Sequence, residues 1–288
     1  MQKKIYLLLS LSLVILSCSK FEQIKDHFDD PAPGNKNDFT GANAQGEALK
    51  NYQLEPIPYL FKKIYNGDKL KQIITGYYNH GVGLVEGFDS LAVIYTSQQV
   101  IFLRSNKDTA ASFTMHANGK PIKARASRLM RPGEPLQTFN FIYSNGKLEY
   151  LLMPDNMIND VYAKIQYEAG KKNISSLSVQ NGTLDVNDKI TYTWDHTKKV
   201  KSQFYADEGT IANFWKFLCY LNWLEELNGE NLLQSVYIEG NDYPYDMIRK
   251  YSNHKLDSKG RLTSYYASET RAEHGTENEP RKWIIYWK

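Results

Sequence analysis

From about residue 55 onward, apolar and polar positions alternate in short runs divided by turn residues. Lys63 to Ile73 (KIYNGDKLKQI), Phe141 to Leu151 (FIYSNGKLEYL), Lys164 to Leu177 (KIQYEAGKKNISSL) and Lys189 to Phe204 (KITYTWDHTKKVKSQF) share one plan. Ile248 to Tyr265 (IRKYSNHKLDSKGRLTSY) repeats it with a longer turn. In each, an alternating strand ends near a tyrosine, a turn rich in Gly, Asn, Asp and Lys follows, and a second alternating strand leads away. That is a β-hairpin written once per repeat. Tyr143, Tyr167 and Tyr192 recur at intervals of 24 and 25 residues, the span of two strands and two turns. Ser90 to Leu103 and Trp283 to Trp287 read as partial members. The pattern predicts a mainly β fold, an antiparallel β-meander of repeated hairpins.

One stretch breaks the alternation. In residues 210 to 233, Phe214, Phe217, Leu218, Leu221, Leu224 and Leu227 recur at three- and four-residue steps. This predicts an inserted amphipathic helix over about 210–229, capped by Asp207 or Thr210 and ended by Gly229. Trp215 and Trp223 widen its apolar stripe. Alternation of Ile165 and Tyr167 with Lys164 and Gln166 gives each strand one apolar and one wet face. The helix is expected to lie across the apolar face as a lid.

The beginning of the chain is organised differently. Residues 1–17 carry Lys3 and Lys4, an apolar run from Ile5 to Leu16 and the small Ser17, the layout of a secretory signal. The apolar run is about a dozen residues, short of the roughly 20 needed to span a bilayer. Ile15-Leu16-Ser17-Cys18 resembles a bacterial lipobox, which implies removal of residues 1–17 and lipidation of Cys18. The acyl chains would be the membrane partner, and more than one is needed for a durable anchor. Residues 18–48 lack apolar periodicity and read as a flexible tether, with Glu22, Asp26, Asp29 and Asp30 acidic near its start. Ser19 fits sorting to the outer membrane, on either its surface or its periplasmic side. Residues 49–288 form the β-rich domain.

Formal charge is +3, and loss of Lys3 and Lys4 leaves +1, without the basic face that nucleic acid requires. Cys18 and Cys219 are the two cysteines. With Cys18 lipidated, Cys219 has no partner in the chain, and its apolar context predicts a buried, inert thiol. Tyrosine is abundant, 21 residues, which suits pleated surfaces and leaves a carbohydrate-binding face open.

Leu256-Asp257-Ser258-Lys259-Gly260-Arg261-Leu262-Thr263 resembles the YD repeat of Rhs-type proteins, with Leu256 at the usual Tyr position. With the lipobox, the chain resembles Bacteroides-type outer-membrane lipoproteins of unknown function built from degenerate YD-like hairpins. Full Rhs proteins wind many repeats into a shell around a toxin. The few units here do not imply that role, and the resemblance brings no functional residues.

Catalytic and cofactor motifs are missing from the sequence. The six histidines form no metal-ligand spacing; His196 and His254 fall in expected turns and His27 in the tether. There is no nucleophile elbow, P-loop or dinucleotide fingerprint. Lys120, Lys123, Arg125, Arg128 and Arg131 make the densest basic cluster, a solvated strand or a contact for an anionic glycan or phosphate head group. Asn173-Ile174-Ser175 matches the N-glycosylation acceptor pattern, a use foreign to a bacterial lipoprotein. Tyr265, Tyr266, Trp283 and Trp287 are the candidate ligand-binding rings, because adjacent aromatics on a strand put one ring on each face.

The sequence therefore predicts a non-enzymatic, lipid-anchored envelope protein with a binding or structural role and no cofactor. The alternatives are a glycan-binding lipoprotein of a saccharide uptake system and, behind it, a hydrolase assembled from distant carboxylates. Its partners would be the membrane and a glycan or envelope protein. Cys18→Ala is expected to abolish metabolic palmitate labelling and release or misprocess the protein. Unchanged labelling and membrane fractionation would overturn the anchor.

Overall fold

Short turns and strict alternation favour pairing of consecutive strands, and in the computed structural model every described strand pairs with its neighbours in sequence. It describes residues 49–54, 61–79, 84–154 (apart from 117, 128, 129 and 131), 161–180, 187–205, 214–239, 246–271 and 279–288. The tether and signal regions, Cys18 among them, lie outside these residues, as do His27, His80, His274, Arg128 and Arg131.

The strands are β1 (Leu49–Leu54), β2 (Phe61–Asn66), β3 (Lys69–Asn79), β4 (Leu84–Tyr95), β5 (Gln99–Leu103), β6 (Thr109–Met115), β7 (Pro121–Ala126) and β8 (Gln137–Ser144). They continue as β9 (Lys147–Leu152), β10 (Val161–Tyr167), β11 (Ile174–Gln180), β12 (Asn187–Lys199), β13 (Asn231–Glu239), β14 (Met247–Leu256), β15 (Leu262–Arg271) and β16 (Arg281–Trp287). Every neighbouring pair is antiparallel, as the repeated hairpins predict. The β8–β9 turn shows why: Ser144 pairs with Lys147, leaving Asn145 and Gly146 as a two-residue loop. Both have positive φ, 51° and 75°, the geometry that Asn-Gly hairpins favour. The meander also closes. β1 pairs with β2 on one side and β16 on the other, with Tyr52 opposite Phe61 and Ile285, so the described strands form a sixteen-stranded barrel.

A barrel of this strand number leaves a lumen wide enough for a channel unless something fills it. Here the insertion between β12 and β13 does so. Its α-helix, α1 (Phe214–Leu221), is shorter than the expected 210–229, and a 3-10 turn follows at Glu225–Asn228. Left-handed Asn222 (φ 55°) terminates α1, its N–H donating to the Cys219 carbonyl at 3.1 Å. Gly229 closes the 3-10 turn instead. The helix is not a lid on an open face; the sheet curls around it. Phe214 stacks on Phe139 of β8 at 4.2 Å between ring centroids, and Phe217 meets Phe102 of β5 edge-on at 5.1 Å. Phe214, Phe217, Phe102, Phe113 and Phe139 are fully buried. Each such ring stabilises the fold by about 1.5–3 kcal/mol through loss of water contact.

Both ends of α1 are tied to the wall. The Trp215 N–H donates to the Tyr162 hydroxyl of β10 at 3.2 Å, and the Lys63 ammonium of β2 donates to the Leu221 carbonyl. These bonds satisfy backbone groups that a helix terminus leaves open. Lys63 is 1% exposed, and burial lowers its pKa from 10.5 to about 7.

The wall has the expected two faces. Val100, Phe102, Ala124, Phe139, Phe141, Ile165 and Leu177 point inward and are buried. Lys123, Arg125, Lys164, Gln166, Thr191, Glu239 and Lys250 occupy exposed positions on β7, β10 and β12 to β14. Lys189 and Glu239, paired across β12 and β13, approach to 3.4 Å on the outside. Apolar residues also appear there, Ile94 and Ile248 among them.

The Lys63 ammonium is disfavoured in the fold, so between its folded and unfolded pKa values the unfolded chain binds the extra proton. Stability must then rise with pH across that window. The stability of Lys63→Met relative to the parent should be greatest at and below neutral pH and shrink as pH rises towards 10.5. Urea unfolding at several pH values reads this directly, and a pH-independent difference would remove Lys63 as the cause.

Candidate functional site

The hairpin repeat produces a recurring contact at the barrel end that carries the short turns. Tyr143 Oη donates to the Pro121 carbonyl at 2.8 Å, Tyr167 Oη to Leu148 at 2.8 Å and Tyr95 Oη to Leu70 at 3.0 Å. The lysine just before each acceptor covers the same ring: Lys120 lies 5.2 Å from the Tyr143 centroid, Lys147 4.8 Å from Tyr167 and Lys69 5.7 Å from Tyr95. Tryptophan takes over the role twice. Trp194 Nε1 donates to the Ile174 carbonyl and Trp287 Nε1 to Leu262, both at 2.7 Å. This is the physical content of the Tyr-turn-Lys-apolar pattern: each turn lysine and the carbonyl beside it hold an aromatic from a later strand. Each ring-and-cation contact contributes about 0.5–1 kcal/mol at a half-exposed rim.

Trp194 belongs to a second feature. Where the plug meets β11, β12 and β13, packing leaves a cavity of about 80 Å³. Trp194 and Tyr192, stacked at 6.0 Å and 11°, form one wall. Trp215, Leu218 and Cys219 of α1 form another, and Tyr205, Asn222 and Asn228 complete it. Every residue lining it is neutral. Asn222 is 4% exposed. Its Oδ1 accepts from Asn228 Nδ2 at 2.9 Å, while its own Nδ2 has no partner among the described residues. Tyr205 Oη accepts from the Leu233 N–H at 3.1 Å, and burial pushes the phenol well above its ordinary pKa. It remains neutral.

A buried polar hub supports this wall. Asn173 Nδ2 donates to Glu168 Oε2 at 3.0 Å and to Asn231 Oδ1 at 2.9 Å, and its Oδ1 accepts from the Glu230 N–H at 2.9 Å. Asn173 is fully buried, so its place in an Asn-X-Ser triplet is unrelated to sugar attachment. Gly229, at φ 67°, lets the plug backbone press against Trp194: a Cβ there would stand 2.8 Å from Cη2 of the indole.

The sequence-derived ring candidates divide between faces. Tyr265 and Trp283 are opposite one another on β15 and β16, turned inward and 0% and 1% exposed. They are core rings and form no surface platform. Tyr266 lies on the outer register opposite Lys282, and Trp287 is held at the rim by its indole bond to Leu262. Lys120 is drawn to the Tyr143 ring, while Lys123 and Arg125 stand exposed on β7. His196 and His254 do not sit in turns, because β12 and β14 run beyond their tyrosines and include them. His196 lies between Glu168 Oε1 at 3.4 Å and Lys171 Nζ at 3.0 Å. Burial, then nearby Lys198, hold His254 below its ordinary pKa. Among the described residues, no group of three or more His, Cys, Asp or Glu side chains is placed to hold a metal. Cys219 is a half-buried thiol.

No protein-family model matches the chain, and no curated protein matches it. Among solved structures, the barrel is similar to a porin-like protein from Bacteroides uniformis, with TM-score 0.55 and 14% identity over 79% of this chain and 89% of that one. A porin-like protein from Bacteroides vulgatus matches with TM-score 0.45 and 12% identity over 83% of this chain and 97% of that one. At this identity the first likeness is one of fold.

Gly229→Ala sets a methyl against the Trp194 ring and places alanine at positive φ. Overpacking of this kind costs about 1–3 kcal/mol, and alanine at φ 67°, ψ 177°, a region populated almost only by glycine, costs about 1–3 more. The variant is expected to lose stability on that scale in urea unfolding. A midpoint equal to the parent's would show that Trp194 does not need the close approach.

Proposed function

We propose that this chain is a lipid-anchored, non-enzymatic protein of the bacterial outer membrane whose barrel is a closed scaffold for binding and conducts nothing. The observation that carries this reading is polarity. A membrane-spanning barrel turns an apolar band to lipid and a polar lumen inward. Here the lumen is packed with Phe102, Phe113, Phe139, Phe214 and Phe217, and charged side chains occupy exposed positions on five outer strands. Each lysine or arginine on a lipid face costs about 2–4 kcal/mol near the bilayer midplane. Lys123, Arg125, Lys164 and Lys250 all stand exposed on the wall, an arrangement that disfavours a lipid-facing exterior. The barrel therefore belongs in water, and attachment falls to Cys18 and the tether.

Sugar uptake is the less favoured variant of this role. It calls for a line of exposed rings, and two of the four candidate rings, Tyr265 and Trp283, are interior.

The full chain, purified with its lipid and added to planar bilayers, is expected to give no stepwise conductance. Cys18→Ala protein carrying the intact barrel is expected to stay soluble without detergent. Discrete channel openings, or a requirement for detergent in the Cys18→Ala protein, would overturn the closed-scaffold reading.

A further inference from the structure

We infer that the cavity beside α1 is a binding site for one small, uncharged, ring-shaped ligand carrying a hydrogen-bond acceptor such as a carbonyl oxygen. Four observations converge on it. The first is room: the cavity measures about 80 Å³. A single water needs about 10–15 Å³ on the same measure, so the space suits a group of several heavy atoms. The second is shape. Trp194 and Tyr192 stack on one another, 11° apart, and line the space with Trp215, so aromatic rings make up much of its wall.

The third is charge. No lining residue is ionisable at neutral pH except the Cys219 thiol and the tyrosines, whose ordinary pKa values lie above 8. An anionic or cationic ligand would enter without a counter-charge and lose its hydration uncompensated. The fourth is the donor. Asn222 is 4% exposed, its oxygen is engaged by Asn228, and its Nδ2 has no partner among the described residues. A buried amide N–H without an acceptor is destabilising, and a ligand oxygen at Nδ2 would relieve that cost. A free monosaccharide fits poorly, because most of its hydroxyls would meet Trp194, Trp215 and Leu218 rather than polar groups.

This assignment rests on the reading of the barrel as a binding scaffold and names the class of compound it takes. Cys219 supplies a reporter inside the site. In the full chain with Cys18→Ser, Cys219 is the single thiol, and its reaction with dithiobis(nitrobenzoate) reports access to the cavity. Acetophenone, a neutral ring with one carbonyl, is expected to slow that reaction several-fold in a saturable way and to raise the melting temperature. Benzene, equal in ring and lacking the acceptor, is expected to do so only at much higher concentration. Asn222→Asp keeps the oxygen bonded by Asn228 and removes the donor, so it should abolish the preference for acetophenone. Leu227→Phe fills the space and should abolish protection by both compounds, with its own cooperative melt showing that the fold persists.

Equal thiol reactivity with and without acetophenone, together with an unchanged melting temperature, would overturn the site. Equal effects of benzene and acetophenone would overturn the role of Asn222. Neither result bears on conductance or on palmitate labelling, so failure here is distinguishable from failure of the closed-scaffold reading.

Discussion

Sixteen strands enclose more space than their own side chains can fill, and the structure depends on how that space is occupied. Water would leave the inward faces of Phe102, Phe113 and Phe139 hydrated and the wall without a core. The chain supplies Phe214, Phe217, Leu218 and Leu221 from the insertion instead. With the lumen filled largely by apolar rings, charged residues such as Lys123, Lys164 and Lys250 stand on the outer face beside scattered apolar ones such as Ile94 and Ile248. The ties at Tyr162 and Lys63 fix where along the lumen the helix sits. The cavity at Trp194 lies where plug and wall do not quite meet, beside the buried Asn173 hub.

The rim solves a different problem, that of keeping neighbouring hairpins in register. Tyr95, Tyr143, Tyr167, Trp194 and Trp287 each reach back to a carbonyl at the start of an earlier strand. Since a one-residue slip turns every side chain of a strand to the other face, a side chain that names its acceptor carbonyl guards the register. Lys288 adds a contact of the same kind across the seam, lying 4.9 Å from the Tyr65 centroid and 2.6 Å from Asp68 Oδ1. It reaches past β1 to the β2–β3 turn.

Much of this wall was legible in the chain, because alternation and turn chemistry are local. The spacing of Tyr143, Tyr167 and Tyr192 marks three successive units, and Asn145-Gly146 marks a two-residue turn. Closure was not legible: it depends on β1 meeting β16, and no local pattern shows which distant edges pair. The amphipathic run around Phe214 reveals a helix with one apolar side, yet periodicity does not distinguish a helix laid over a sheet from one enclosed by it. His196 and His254 lie in strands rather than the expected turns because β12 and β14 continue past the tyrosines that end the shorter strands. The cavity has no local signature, because Ile174, Trp194 and Asn222 come from three separate segments. The one available signal was Asn222 itself, an asparagine directly after the last helical leucine, where a left-handed cap is expected.

The enclosed position of α1 also sets the order in which the chain can assemble. The helix lies between β12 and β13 in sequence but inside a ring whose last join is β1 to β16, near opposite ends of the domain. Phe214 stacks on Phe139 of β8 and Phe217 meets Phe102 of β5, so the helix gains its packing only as those earlier strands take their places around it. Contacts so far apart in sequence make a slow search. The apolar plug offers the hairpins a common surface to gather on, and the β1–β16 join, the pairing of longest sequence separation, carries the largest loop-closure cost.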